Sequence, residues 1–282
     1  MTFTTVMFPI IAALIAPEGK FLERNTKWNA ANEQQKYFLE NIFTKKDELS
    51  KFSDKELRCW ASRDHNELNK IAKDNGFDIQ LKPFGPGGFG SLSILDVAVK
   101  WLEAGTKTTI NYNKVDYKGA KISKGITVML SPGWKEPLIS IETQNSDTVY
   151  ITFANQPLEG LELLKKINKI KYDFYFYKIC KPIYENLIFP VIDINQQVDI
   201  SWLKNMTETS GYFINQALQQ TKFKMDEVGA HVQSAVMLGF EKCVRRETNF
   251  VIDKPFYVWI ERKGCSLPIF AAYIDVDSWQ KA

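Results

Sequence analysis

From Thr106 onward the sequence breaks into short extended runs, and this limits the fold more than any other feature. Apolar and β-branched residues alternate with polar ones over 108–115, 126–130, 138–143 and 148–154, with Gly, Pro, Asn and Asp between the runs. Side chains on a strand alternate between two faces, so this period reads as half-buried strands joined by turns. Pro157 then opens a helix through Leu161, Leu164 and Ile167, with proline at the favoured first position. Strands are predicted again at 172–180, 187–194, 217–226, 249–252, 256–262 and 268–276.

The N-terminal third has a different period. The apolar run 6–16 predicts a buried core helix. It lacks the positive flank of a secretory signal, is followed by Pro17, and is too short to span a bilayer. Tyr37, Phe38, Ile42 and Phe43 place a helix over 29–43. Ser53-Asp54-Lys55-Glu56 matches a capping box and predicts a second helix with Leu57 and Trp60 on one face. A further turn runs through Leu68 and Ile71 and stops at Asn75-Gly76. A strand is expected over 77–84, a glycine loop over 85–90, and a helix over 91–104 ending at Gly105. With no repeat and no flexible linker, residues 1–282 read as a single α+β domain, mainly helical over 1–105 and mainly β over 106–282.

Several function classes fall away on chemistry. Lys+Arg 36 against Asp+Glu 33, spread along the chain, gives a net charge of +3 and no basic block for nucleic acid. Two histidines, His65 and His231, have no metal-ligand spacing, and the four cysteines (Cys59, Cys180, Cys243, Cys265) contain no C-x-x-C pair. The expected state of the cysteines is reduced and buried. No metal or other cofactor is implied. Cys59–His65 and His231–Cys243 lack an orienting acid for nucleophilic catalysis. Gly85-x-Gly87-x-x-Gly90 matches the dinucleotide-binding pattern literally. Pro83 and Pro86 crowd it, however, and no βαβ unit follows, so a dinucleotide-binding enzyme is the distant alternative. The aromatic cluster 172–177 alternates as a packed strand would.

The stretch 216–236 has a more specific order. A strand ends at Glu227-x-Gly229, and its large apolar residues give way to smaller ones. Some twenty residues later Pro255-Phe256 opens a strand, and Lys263-Gly264 turns it into a last one. This order resembles the C-terminal end of a serpin, in which an acidic-x-Gly hinge precedes an exposed reactive loop and two closing strands. The resemblance is best over 214–276 and extends back to about 148, through the helix after Pro157 and a short helix near 202–206. The apolar segment around Pro9 is faintly similar to the family's buried helix without its serines. Phe270-Ala271-Ala272-Tyr273 lacks the family's usual glycine.

The resemblance implies an α+β serpin-like fold: N-terminal helices packed on a large mixed β-sheet, further C-terminal sheets, and a reactive loop at about 229–248. It implies a protease inhibitor acting as a suicide substrate rather than as an enzyme, with a non-inhibitory serpin-like binding protein as the alternative. The hinge residues are Glu227, Gly229, Ala230, Val232 and Ser234. Ala230, Val232, Ser234 and Val236 alternate with His231, Gln233 and Ala235, and the former face carries no charge. Family spacing places the scissile bond at Cys243–Val244, with Lys242, Arg245 and Arg246 as alternatives. The partner is a serine or cysteine protease, the chain acts as a monomer, neither nucleic acid nor membrane takes part, and the family favours an extracellular location.

Overall fold

The computed structural model describes residues 1–177, 179–180, 184–229 and 248–282. Strand β1 (Phe3–Thr5) leads into helix α1 (Phe8–Ile15). Strand β2 (Trp28–Asn29), helix α2 (Glu33–Asn41) and a 3-10 helix (Phe43–Lys51) follow. Strand β3 (Leu57–Ser62), helix α3 (His65–Asp74) and strand β4 (Gly90–Leu95) complete the first third. Then come β5 (Thr106–Tyr112), β6 (Val115–Ile122), β7 (Ile126–Ser131), β8 (Trp134–Glu142) and β9 (Thr148–Phe153). Helix α4 (Gly160–Tyr177) precedes β10 (Ile179–Cys180), β11 (Asn186–Pro190) and β12 (Ile192–Val198). A 3-10 turn (Ser201–Leu203), β13 (Thr207–Glu208) and β14 (Gln219–Met225) lead to β15 (Asn249–Val251), β16 (Phe256–Glu261) and β17 (Phe270–Ile274).

The expected α+β architecture is present. An antiparallel seven-stranded sheet runs in the order β1-β17-β16-β9-β8-β7-β10, and a four-stranded sheet in the order β15-β11-β6-β5. Three two-stranded ribbons, β12-β14, β3-β4 and β13-β2, complete the strand pairing. The large sheet is covered on both faces, so β16 is continuously apolar: Phe256, Tyr257, Val258 and Trp259 are all fully buried. Helix α4 lies against β1, β7, β8 and β17, burying Leu163, Ile167, Ile170 and Phe174 at helical spacing. Helix α1 is apolar nearly all round and packs against β3 and β4, with Phe8 and Ile11 fully buried.

Several local expectations are corrected. Residues 172–177 continue helix α4 instead of forming a strand: Phe174 extends its buried stripe, while Tyr172 and Tyr175 face outward. The Ser53 backbone N–H and hydroxyl both donate to the Glu56 carboxylate at 3.0 Å, as a capping motif should, yet no helix follows. Leu57 instead starts β3, which pairs over six residues with β4. Residues 91–95, read as the start of a helix, belong to that partner strand. Segment 77–84 is not in a sheet. Side-chain amides take up its backbone groups, as Gln220 accepts from Asp78 N–H and Gln216 from Lys82 N–H, both at 2.7 Å. The run 108–115 is divided between β5 and β6 by a tight turn at Asn113-Lys114, both left-handed. Cys59 and Cys265 are free thiols, but Cys59 is exposed rather than buried. The side chains of Cys180 and Cys243 lie outside the described residues.

Candidate functional site: the β14 hinge and the gap beside it

Strand β14 is paired on one edge only. It runs antiparallel to β12 from Ile192↔Met225 to Val198↔Gln219. Strand β4 is likewise paired with β3 alone. The two face each other across a gap, and among the described residues no strand fills it. They run in the same direction. Residues before both strands lie together, with the rings of Phe89 and Tyr212 5.0 Å apart, and residues after both strands also meet. The gap continues inward as a cavity of about 730 Å³, walled by Leu92, Ile94, Phe223 and Met225 and reaching Ile10 and Leu14 of α1. Two parallel edges with no strand partner among the described residues suit one added strand, antiparallel to both.

The hinge closes the upper end of the gap. Trp101 Nε1 donates to the Asp226 carbonyl at 2.9 Å, and Gly105 N–H donates to the Glu227 carbonyl at 2.7 Å. Glu227 forms an ion pair with Lys107 at 3.5 Å, and Asp226 accepts from Val228 N–H at 2.9 Å. Gly229 bridges to Lys100 with φ +105°. A Cβ there would sit 2.5 Å from the Val99 carbonyl oxygen and 2.7 Å from Lys100 Cα, so glycine is required by conformation and by contact.

Glu227 and Gly229 of the expected hinge therefore stand together at the mouth of the gap. Ala230, Val232, Ser234, Lys242, Cys243, Val244, Arg245 and Arg246, like His231, lie outside the described residues. Sequence reasoning missed the other half of the clamp, namely Trp101, Gly105 and Lys107, because Trp101 was assigned to a helix. A tryptophan just before Gly105 was the available signal, and nothing in its spacing paired it with residue 226.

The glycine loop does not support phosphate binding. Strand β4, not a helix, follows it, so no N-terminal dipole is aimed at a ligand. The space at Gly90 is occupied by the Phe84 ring, 2.4 Å from where a Cβ would be, which accounts for that glycine by packing. Among the described residues no group of His, Cys, Asp and Glu could hold a metal, and no helix is long and apolar enough to cross a membrane.

Near the C-terminal end of β4, Arg262 ties three segments together. Its Nε donates to Asp147 at 3.0 Å and its Nη2 to Glu56 at 2.7 Å, while the guanidinium lies over the Phe52 ring. The hydrogen bond from Arg262 holds the Glu56 carboxyl below its usual range, and the same contacts hold the Arg262 proton more tightly than usual, with Asp147 the larger cause. Asp147 also accepts from Asn145, whose amide reaches the Ala98 carbonyl between β4 and Trp101.

No family model matches the sequence, and no curated protein is significantly similar to it. Solved structures are similar in fold. Thyroxine-binding globulin in complex with thyroxine overlaps with a TM-score of 0.60 at 11% identity, covering 97% of this chain and 92% of that one. A structure of the human protein, also with thyroxine, gives 0.55 at 11% identity, covering 97% and 91%. Serpin48 of the insect Tenebrio molitor gives 0.47 at 14% identity, covering 97% and 74%. The element order, the single-edged β14 beside its gap and the two overlaps with thyroxine-binding globulin together establish that the chain has the serpin fold.

Proposed function

We propose that the chain is a protease inhibitor of the serpin type, spent in a single encounter. The observation that carries this reading is the gap between β4 and β14, which no strand fills among the described residues, with Asp226–Gly229 at its mouth. A serine or cysteine protease attacks the loop after Gly229, with Cys243–Val244 as the bond cut and Lys242, Arg245 and Arg246 as alternative bait residues. The freed segment folds back and enters the gap. Its backbone gains partners on both sides at about 1 kcal/mol net per hydrogen bond. Ala230, Val232 and Ser234 present an uncharged face to the cavity, where a charged side chain would be costly. The chain works as a monomer outside the cell, with no cofactor and no catalysis of its own.

A second reading has its own support. The two overlaps above a TM-score of 0.5 are structures of thyroxine-binding globulin with thyroxine bound. A non-inhibitory binding protein would keep the fold and lose productive insertion. Incubation with trypsin-like and chymotrypsin-like proteases, followed by denaturing gels and mass spectrometry, separates the two. Inhibition gives a covalent adduct with a cut between residues 242 and 246. Cutting without an adduct would overturn the inhibitory reading.

A further inference from the structure

The cavity under the gap contains a cation that the insertion reading does not use. Arg58, on β3, lines it. It sits opposite Ile94 and beside the Trp60 ring, 5.7 Å away. Among the described residues it makes no ion pair, and its Nε is buried with no acceptor. A second lining residue, Trp28, has a buried Nε1–H that is equally unpartnered. Among the described residues the other charges on the wall are Lys222, Lys224 and an exposed Asp96, so their sum is positive. Lys222 already donates to the Gly76 carbonyl, and Lys224 is within 3.5 Å of Asp226.

A half-buried guanidinium whose Nε has no acceptor and which has no counter-ion among the described residues is unfavourable, because charge taken out of water is repaid only by an anion and hydrogen bonds. The inner wall between these charges is mostly apolar, formed by Ile10, Leu14, Leu92, Ile94 and Phe223. The volume, about 730 Å³, falls in the range of small-molecule sites. We infer that this cavity binds a small amphipathic carboxylate, with its head on Arg58 and its apolar body along Ile10, Leu14, Leu92 and Phe223. Trp28 Nε1–H is a second donor for an oxygen on the ligand. A planar guanidinium matches a carboxylate through two parallel hydrogen bonds, which a neutral alcohol cannot form. An inserted polypeptide strand brings carbonyl dipoles but no charge, so it would leave Arg58 uncompensated. The inference needs only the uncleaved chain and stands whether or not the loop inserts.

The test is calorimetric titration of the intact chain with laurate, below its micelle threshold, and with dodecanol. Laurate is expected to bind saturably and at least about tenfold more tightly than dodecanol, the value of a charge-assisted hydrogen bond. Arg58→Met should abolish that preference while leaving dodecanol binding and the melting temperature unchanged or raised, since it removes an unpaired buried cation. Should Arg58→Met fail to fold, Arg58→Lys is read instead: it should keep part of the preference, because charge remains and the fork is lost. No saturable laurate binding, equal affinity for acid and alcohol, or a laurate preference indifferent to residue 58 would overturn the inference.

Discussion

At the residue scale the hinge is specified by contacts on both sides of Gly229. Its φ of +105° and the Val99 carbonyl 2.5 Å from any Cβ leave no room for a side chain. Gly229→Ala should lower stability by roughly 1–3 kcal/mol in urea unfolding, through strain at one left-handed position. Ala230→Arg acts on a different step. It puts a charge on the face that the insertion reading sends into the cavity, so on that reading protease cleavage should persist while the adduct disappears. Undiminished adduct formation by that variant would sink the insertion mechanism. Glu56 gives a pH signature. Its folded pKa lies below the ordinary value of 4.5 because Arg262 hydrogen-bonds the carboxylate. The pair therefore stabilises fully above that value, and its contribution fades as pH falls through the depressed one. Glu56→Gln should cost about 1 kcal/mol at neutral pH, for a partly exposed pair, and show a shallower loss of stability below about pH 4.5.

At the element scale the sequence was most legible where one period ruled. Strands β7, β9, β15, β16 and β17 fall where alternation and turn residues put them, and α1 falls on its apolar run. The failures have a common cause. In 91–104, Ile94, Leu95, Ala98 and Trp101 fit helical spacing, but Ser91-Leu92-Ser93-Ile94 also fits a strand. Pairing with β3, reached across a helix and the glycine loop, decides between them. Local pattern carries no information about a partner some thirty residues away. The 172–177 cluster fails in the opposite sense: Phe174 continues the Ile167–Ile170 stripe of α4, and tertiary packing overrides an aromatic alternation. The end of β14 was legible from Glu227-x-Gly229, whereas the contacts of Trp101 and Lys107 with it were not, because they exist only once β4 and β14 lie side by side. Two half-paired strands also have a dynamic consequence. Amides on the facing edges of β4 and β14 should exchange with solvent faster than those of β16, which pairs on both sides. Equal protection in a hydrogen-exchange experiment would mean that the gap is already filled in solution.

At the scale of the whole molecule, the fold is a closed, two-sided core joined to an open pair of ribbons. The seven-stranded sheet and α4 bury most of their apolar surface against each other, whereas the β3-β4 and β12-β14 ribbons leave a cavity between them. On the proposed reading that arrangement stores free energy, since among the described residues the facing edges of β4 and β14 lack strand partners, which the chain after Gly229 would supply. The most direct test is to cut the chain once between residues 242 and 246 and compare its melting temperature with that of the uncut protein. A strand of several residues gaining hydrogen bonds on both edges should raise it by roughly 10 °C or more, given about 2–4 °C per kcal/mol for a domain of this size. A cut chain that melts at the same temperature as the intact one, or lower, would contradict insertion and leave the gap as a binding cavity alone.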